Sequence, residues 1–240
     1  MGIRIGDDGD LVPMRRLIVV VGMNREGKIA RAPAIVGGGC SADLAVKVST
    51  ALALGGNGVI SFGIGGGLDP ALRPGHLVIG KAVTTVGDRL AADAAWVERL
   101  AAHLPDAIVA DIAGGDRMIV TAAEKTRLRQ VTGAAVADME SHIVAELAAR
   151  AGVPFAVLRA VADPASHALP TSARIGLKAN GDPDVRAVIF NLARRPGELL
   201  ALIRTARQAA AAFRALADAR HLLGPRLGCP YVAQHLVDVP

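Results

Sequence analysis

The chain has 240 residues, 52% hydrophobic and 20% charged, and its 27 basic side chains against 22 acidic ones give a net charge of +5. This composition excludes a disordered polymer, and a single core at this length buries roughly 70–75% of the unfolded surface without a disulfide or metal staple. Aromatic residues are only 2%, which excludes stacking platforms for single-stranded nucleic acid. The positive balance leaves an anionic ligand or an anionic membrane surface as partner classes.

Met1 to Pro13 carries Asp7, Asp8 and Asp10 where an export signal needs basic and then apolar residues. Met14-Arg15-Arg16, followed by Leu17 to Gly22, reads as a natural start, so residues 1–13 are set aside as a disordered extension. The single-domain expectation covers 14–223, with 224–240 as a loose tail. No apolar run reaches the ~20 residues that span a bilayer. Cys40 and Cys229 lack metal-ligand or redox spacing, so neither a metal nor a disulfide is expected. A reducing, cytoplasmic setting fits.

In chain order, Val/Ile-rich runs predict buried strands at Leu17 to Val21, Ala34 to Val36, Val59 to Phe62, Leu77 to Val83, Ala107 to Asp111, Ala134 to Ala137 and Phe155 to Val161. Ala/Leu-rich segments with helical spacing lie between them at Asp43 to Leu54, Ala91 to Leu104, Ala123 to Val131 and Glu140 to Arg150. Two further helices are predicted at Asp182 to Arg194 and from Pro196 through Leu223. Alternation of strand and helix gives an α/β class: a three-layer α/β/α sandwich around a mixed, mainly parallel sheet, with ligand loops at the strand carboxyl ends.

Gly63-Ile64-Gly65-Gly66-Gly67-Leu68 reads as a turn after a strand, where backbone amides can approach an anion or a sugar oxygen. It is no dinucleotide fingerprint, because Leu68 stands where the third glycine belongs. Gly37 to Ala42 does satisfy GxGxxA, but the acid that would hold a ribose about twenty residues on is missing. Glu140 of Asp138-Met139-Glu140-Ser141 enters a helix, where a carboxylate either stabilises the helix end or faces a cleft. Asp163 ends an apolar strand before Pro164, a place where catalytic acids gather. Without a GxSxG elbow, His142, Ser166 and His167 do not form a serine hydrolase triad, and Cys40 has no base beside it.

These ordered motifs, from about Leu17 to Asp163, resemble the purine nucleoside phosphorylase and nucleosidase superfamily. More narrowly, Ser61 to Ile64, Asp138 to Ser141, and Leu158 to Pro164 with Ala168-Leu169-Pro170 resemble its hopanoid-associated branch, whose enzymes are taken to remove adenine from adenosylhopane.

The resemblance implies the nucleoside phosphorylase-like fold, a homodimer, and cleavage of an adenine N-glycosidic bond without metal or organic cofactor. Asp163 would protonate or stabilise the purine N7, and Glu26 would orient the attacking water. Glu140 and Met139 would hold the ribose, and Met118 and Ile119 would pack the base. Gly63, Ile64, Gly65 and Arg25 would line the nucleophile or phosphate pocket. Ile64 replaces a hydroxyl residue found there in many members, which favours water, whereas Arg25 could bind phosphate as a co-substrate. A non-enzymatic nucleotide-binding module is the competing class. The arginine-rich carboxyl-terminal helix reads either as interfacial, giving peripheral contact with the inner membrane, or as a core helix with a solvated basic face.

Overall fold

Period-two alternation along the buried strands sets the layering. In strand β3 (Arg16–Val21), Val19 and Val21 point into one apolar cluster while Ile18 and Val20 point into another. The computed structural model describes residues 3–5, 11–13, 16–170, 188, 190, 192 and 194–231. Strands β1 (Ile3–Ile5) and β2 (Leu11–Pro13) form a separate antiparallel pair.

After β3 come helix α1 (Asn24–Ala30), strand β4 (Ala34–Val36), α2 (Ser41–Ala53), the long strand β5 (Gly56–Gly67), β6 (Leu77–Thr84) and β7 (Arg89–Ala91). They are followed by α3 (Ala94–His103), β8 (Ile108–Gly114), α4 (Ala122–Thr132), β9 (Val136–Asp138), α5 (Ser141–Ala151), β10 (Phe155–Asp163) and, after a 3-10 turn at Pro196–Glu198, α6 (Leu199–Leu223). The first cluster packs α1, α3 and α6 on one face of the sheet, and the second packs α2 and α5 on the other. The three-layer mixed, mainly parallel arrangement is therefore the fold.

The sheet also curls. Its order runs β10-β6-β8-β9-β5-β3-β4, and β10 additionally pairs with β5, so five strands close a ring. Parallel pairing along β10 sets Gly63 beside Arg159 and Gly66 beside Asp163, with an irregularity between Val161 and Asp163.

Five expectations are corrected. The glycine run from Gly63 to Gly67 is not a turn but the second half of β5, because it pairs with β10 and β9. The segment Arg89–Ala91 is a strand on β6, and α3 starts only after Asp93, whose carboxylate caps it by accepting from Trp96 N at 2.8 Å. Glu26 lies on a short helix that the sequence pattern did not reveal. The tail is not loose over 224–231: Leu227 and Cys229 are buried, and the carbonyl of Leu227 accepts from Trp96 Nε1 at 3.1 Å. The helix expected at Asp182 to Arg194 lies largely outside the described residues, and the extension 1–13, expected to be disordered, instead contributes the paired strands Ile3–Ile5 and Leu11–Pro13.

Candidate active site

The turn from β3 into α1 brings Glu26 back onto its own entry. Glu26 Oε2 accepts from the amides of Gly22 and Met23, both at 2.8 Å, and Oε1 accepts from Ile64 N of β5 at 2.7 Å. The carboxylate is buried, and a Cβ on Gly63 would lie 2.5 Å from Oε1, so only glycine admits it there. Burial raises its pKa, while Arg159 and the three amides act against the rise.

Glu140 approaches from the other side of Gly22. It precedes α5 but makes no side-chain cap, so helix capping does not explain it. Its carboxylate instead crowds the Gly22 backbone, where a Cβ would sit 2.7 Å from Oε1, and reaches Arg159 Nη2 at 3.5 Å. Desolvation, with lesser contributions from Asp138 and Glu26 working against the opposing pull of Arg159, pushes its pKa up to about 8.

Arg159 is the residue that sequence reasoning missed. Fully buried on β10, it pairs with Asp138 and donates from Nη2 to Ser61 Oγ at 2.6 Å, while Asp138 is steadied by Ser141 N at 3.2 Å and Ser141 Oγ at 2.5 Å. Its Nη1 has no partner among the described residues and would be 3.0 Å from a Cβ on Gly63, beside Glu26. A guanidinium in the apolar run Val157 to Val161 was the available signal, since a buried charge is retained only when paired.

Asp163 lies four residues further along β10, about 13 Å from Arg159 at strand rise. It is buried beside Gly66 and paired with the fully buried Lys125 of α4, a second residue the sequence reading passed over. Burial raises the pKa of Asp163, and Lys125 pulls it down. Met118 and Ile119 are half-buried in the loop before α4, a loop tied to the chain after β10 by Leu169 N donating to Val120 O at 2.9 Å. Met139 is half-buried between Asp138 and Glu140.

Gly63, Ile64 and Glu26 come together. Gly65 serves the sheet instead, where a Cβ would meet Val136 Cγ1 at 2.5 Å. Arg25 does not join the cluster, because its exposed guanidinium stacks 4.1 Å over the ring of Phe213 on α6. Among the described residues no group of three or more His, Cys, Asp or Glu is placed to hold a metal ion.

The arrangement offers two enclosed carboxylates sharing an arginine at the middle of β10 and a lysine-paired acid at its carboxyl end. The sequence matches the phosphorylase superfamily over residues 23–206. No curated protein matches. Among solved structures the fold is similar to a 5′-methylthioadenosine/S-adenosylhomocysteine nucleosidase variant from Helicobacter pylori with 5′-methylthioadenosine in its active site, at 15% identity and TM-score 0.59, over 85% of this chain and 97% of that one. It is also similar to S-adenosylhomocysteine nucleosidase from Streptococcus pyogenes, at 16% identity and TM-score 0.56 over 86% and 98% of the two chains. Futalosine hydrolase from Helicobacter pylori is similar at 16% identity and TM-score 0.55 over 85% and 98%. The chain belongs to the phosphorylase superfamily and is an enzyme of the nucleosidase and phosphorylase kind.

Proposed function

We propose that the protein hydrolyses the N-glycosidic bond between adenine and the ribose of a 5′-substituted adenosine, and that the substrate is adenosylhopane, giving adenine and ribosylhopane. The observation that carries hydrolysis is the Glu26 carboxylate, fixed by three backbone amides beside the unpartnered Nη1 of Arg159. Glu26 in its ionised form suits a water molecule, which would donate a proton to Glu26 and accept a hydrogen bond from Arg159 Nη1. Arg25, the candidate phosphate ligand, is engaged with Phe213.

In this reading Glu140 accepts from the ribose 2′ and 3′ hydroxyls, and Met139 packs on the sugar. Positive charge that develops on the ribose as the bond breaks is thereby favoured electrostatically. The base lies toward Asp163, with Met118 and Ile119 against it, and Asp163 delivers a proton to N7 so that adenine leaves neutral. The nucleosidases and the hydrolase among the similar structures support hydrolysis over phosphorolysis. The hopanoid assignment follows from the motif resemblance at Ser61 to Ile64, Asp138 to Ser141 and Leu158 to Pro164. Exposed Leu199, Leu200 and Ile203 at the start of α6 add an apolar surface compatible with a lipid substituent and with peripheral contact at the inner membrane. A homodimer belongs to the same reading, and no helix of the described residues is long and apolar enough to cross a membrane.

The test is chromatography of the products after incubation with adenosylhopane or 5′-methylthioadenosine, with and without phosphate. Adenine and free sugar, independent of phosphate, are expected. A 5-substituted ribose 1-phosphate formed only with phosphate would replace hydrolysis by phosphorolysis, cleavage of 5′-methylthioadenosine alone would remove the hopanoid assignment, and release of no adenine would overturn the glycosidic reading.

A further inference from the structure

Lys125 occupies an unfavourable place. The capping box of Thr121 and Glu124 starts α4, so Lys125 stands in the first turn, where the helix dipole disfavours a cation. It is nevertheless fully buried, which a lysine tolerates only with full compensation. That compensation is complete: Nζ donates to Asp163 Oδ2, to Pro164 O at 2.9 Å and to His167 O at 3.1 Å. An ammonium has three protons, and all three are committed. Lys125 therefore has no donor left for a substrate and acts only through Asp163.

We infer that Lys125 is a positioning residue for the leaving base: it claims Oδ2 of Asp163, turns Oδ1 toward the purine, and stabilises the carboxylate left when Asp163 gives up its proton. The inference rests on the proposed glycosidic cleavage. Among the described residues Oδ1 accepts no hydrogen bond, whereas Oδ2 is taken by Lys125, and the whole carboxylate lies against Gly66 of β5, with Oδ1 and Oδ2 3.6 and 3.7 Å from its Cβ position. As the bond from the anomeric carbon to N9 breaks, its electron pair goes to the base. The proton on Oδ1 moves to N7, and the new carboxylate faces the ammonium of Lys125. Water supplies the bond to the anomeric carbon, and its proton goes to Glu26.

Two groups that titrate face Asp163, namely Lys125 from α4 and His167 from the chain after β10. His167 is held by Gln208 at 3.0 Å. Of the two, Lys125 is the one in direct ion pairing. An opposite charge at this range lowers a carboxyl pKa by about 1–3 units. Removing it therefore raises the pKa of Asp163 and moves the alkaline limb of purine cleavage, which needs protonated Asp163, to higher pH.

The experiment compares wild type with Lys125→Met in three readouts. The side-chain carboxyl of Asp163, assigned in ¹³C spectra with Asp163→Asn, is expected to titrate about 1–3 pH units higher in the variant, and the alkaline limb of adenine release should move with it. Adenine release from 5′-methylthioadenosine should fall at least about tenfold further than release of 4-nitrophenol from its riboside, a leaving group that needs no acid. Equal losses on both substrates with an unmoved carboxyl would reduce Lys125 to a structural staple and overturn the inference. If Lys125→Met does not fold, Lys125→Arg decides instead: it keeps the cation and should keep the wild-type limb, and a displaced limb would overturn the inference. If wild type releases no adenine, the proposed function fails, while the titration still settles the effect of Lys125 on Asp163.

Discussion

The three carboxylates of the site are held away from water beside two cationic neighbours. Glu26 and Glu140 face Arg159, and Asp163 faces Lys125, and in all three burial outweighs the cation and raises the pKa. For Glu140 the folded value is about 8 against an ordinary 4.5. The native state then binds this proton more tightly than the unfolded chain does. Its contribution to stability is fully present below the unfolded value and is lost as pH rises toward 8, with a slope of up to about 1.4 kcal/mol per pH unit. Glu140→Gln has no proton to lose. Its thermal midpoint should therefore fall less than that of wild type between pH 5 and pH 8, and parallel midpoints across that range would contradict the assignment. If Glu140 holds the ribose, adenine release by this variant should drop by roughly 10²-fold or more even where the variant is the more stable protein.

At the scale of elements, β5 divides its glycines between two jobs. A Cβ on Gly63 would sit 2.5 Å from Glu26 Oε1 and 2.8 Å from Cδ, whereas one on Gly65 would meet Val136 Cγ1 at 2.5 Å and Ala137 O at 2.9 Å. Gly63→Ala should displace a carboxylate and cost activity first. Gly65→Ala should wedge β5 from β9 where the ring closes and cost stability first, by about 1–3 kcal/mol. Melting curves and adenine release measured on both variants check this, and identical profiles would refute the division. The same strand shows what was legible in the sequence. Val59 to Phe62 announced a buried strand by composition, but Gly63 to Gly67 carry Ile64 as their one apolar side chain, and their extended form follows from pairing with β10 and β9. Glu140 and Asp163 were legible because they stand in local phrases at strand ends, whereas Glu26 was reached only through the family resemblance. Arg159 and Lys125 were not, since each is a single charge in an ordinary run whose partner is 21 or 38 residues distant and is brought near only by the closed sheet.

At the scale of the whole molecule, the face opposite the α2 and α5 layer is sealed by a segment with little secondary structure of its own. The carboxyl half of α6 buries Ala212, Phe213, Leu216, Ala219 and Leu223 in the same cluster as Trp96 and Leu100 of α3, so this half is a core helix. Arg220 donates from Nε to Ala30 O at 2.6 Å, which ties α6 to the end of α1 just beyond Glu26. After Gly224 the chain folds back. Leu227 takes a left-handed φ of 47° with its side chain fully buried, and the hydroxyl of Tyr231 donates to the Asp93 carboxylate at 2.8 Å, while that carboxylate also caps α3. The positive φ is sustained because the Leu227 side chain fills the core while its carbonyl serves Trp96. Leu227→Ala should therefore cost about 2–5 kcal/mol through transfer and cavity terms, lowering the thermal midpoint by roughly 5–15 °C for a chain of this size. Trp96 is the one tryptophan of the chain, so its fluorescence reports on this packing alone. The emission should shift to the red at the same lowered temperature in a single transition, because α3, α6 and the returning segment share one cluster. Below that temperature adenine release should equal that of wild type, since Leu227 belongs to the cluster of Trp96 and the carboxyl half of α6. A red shift well below the main transition would show instead that the segment after Gly224 melts independently of the sheet.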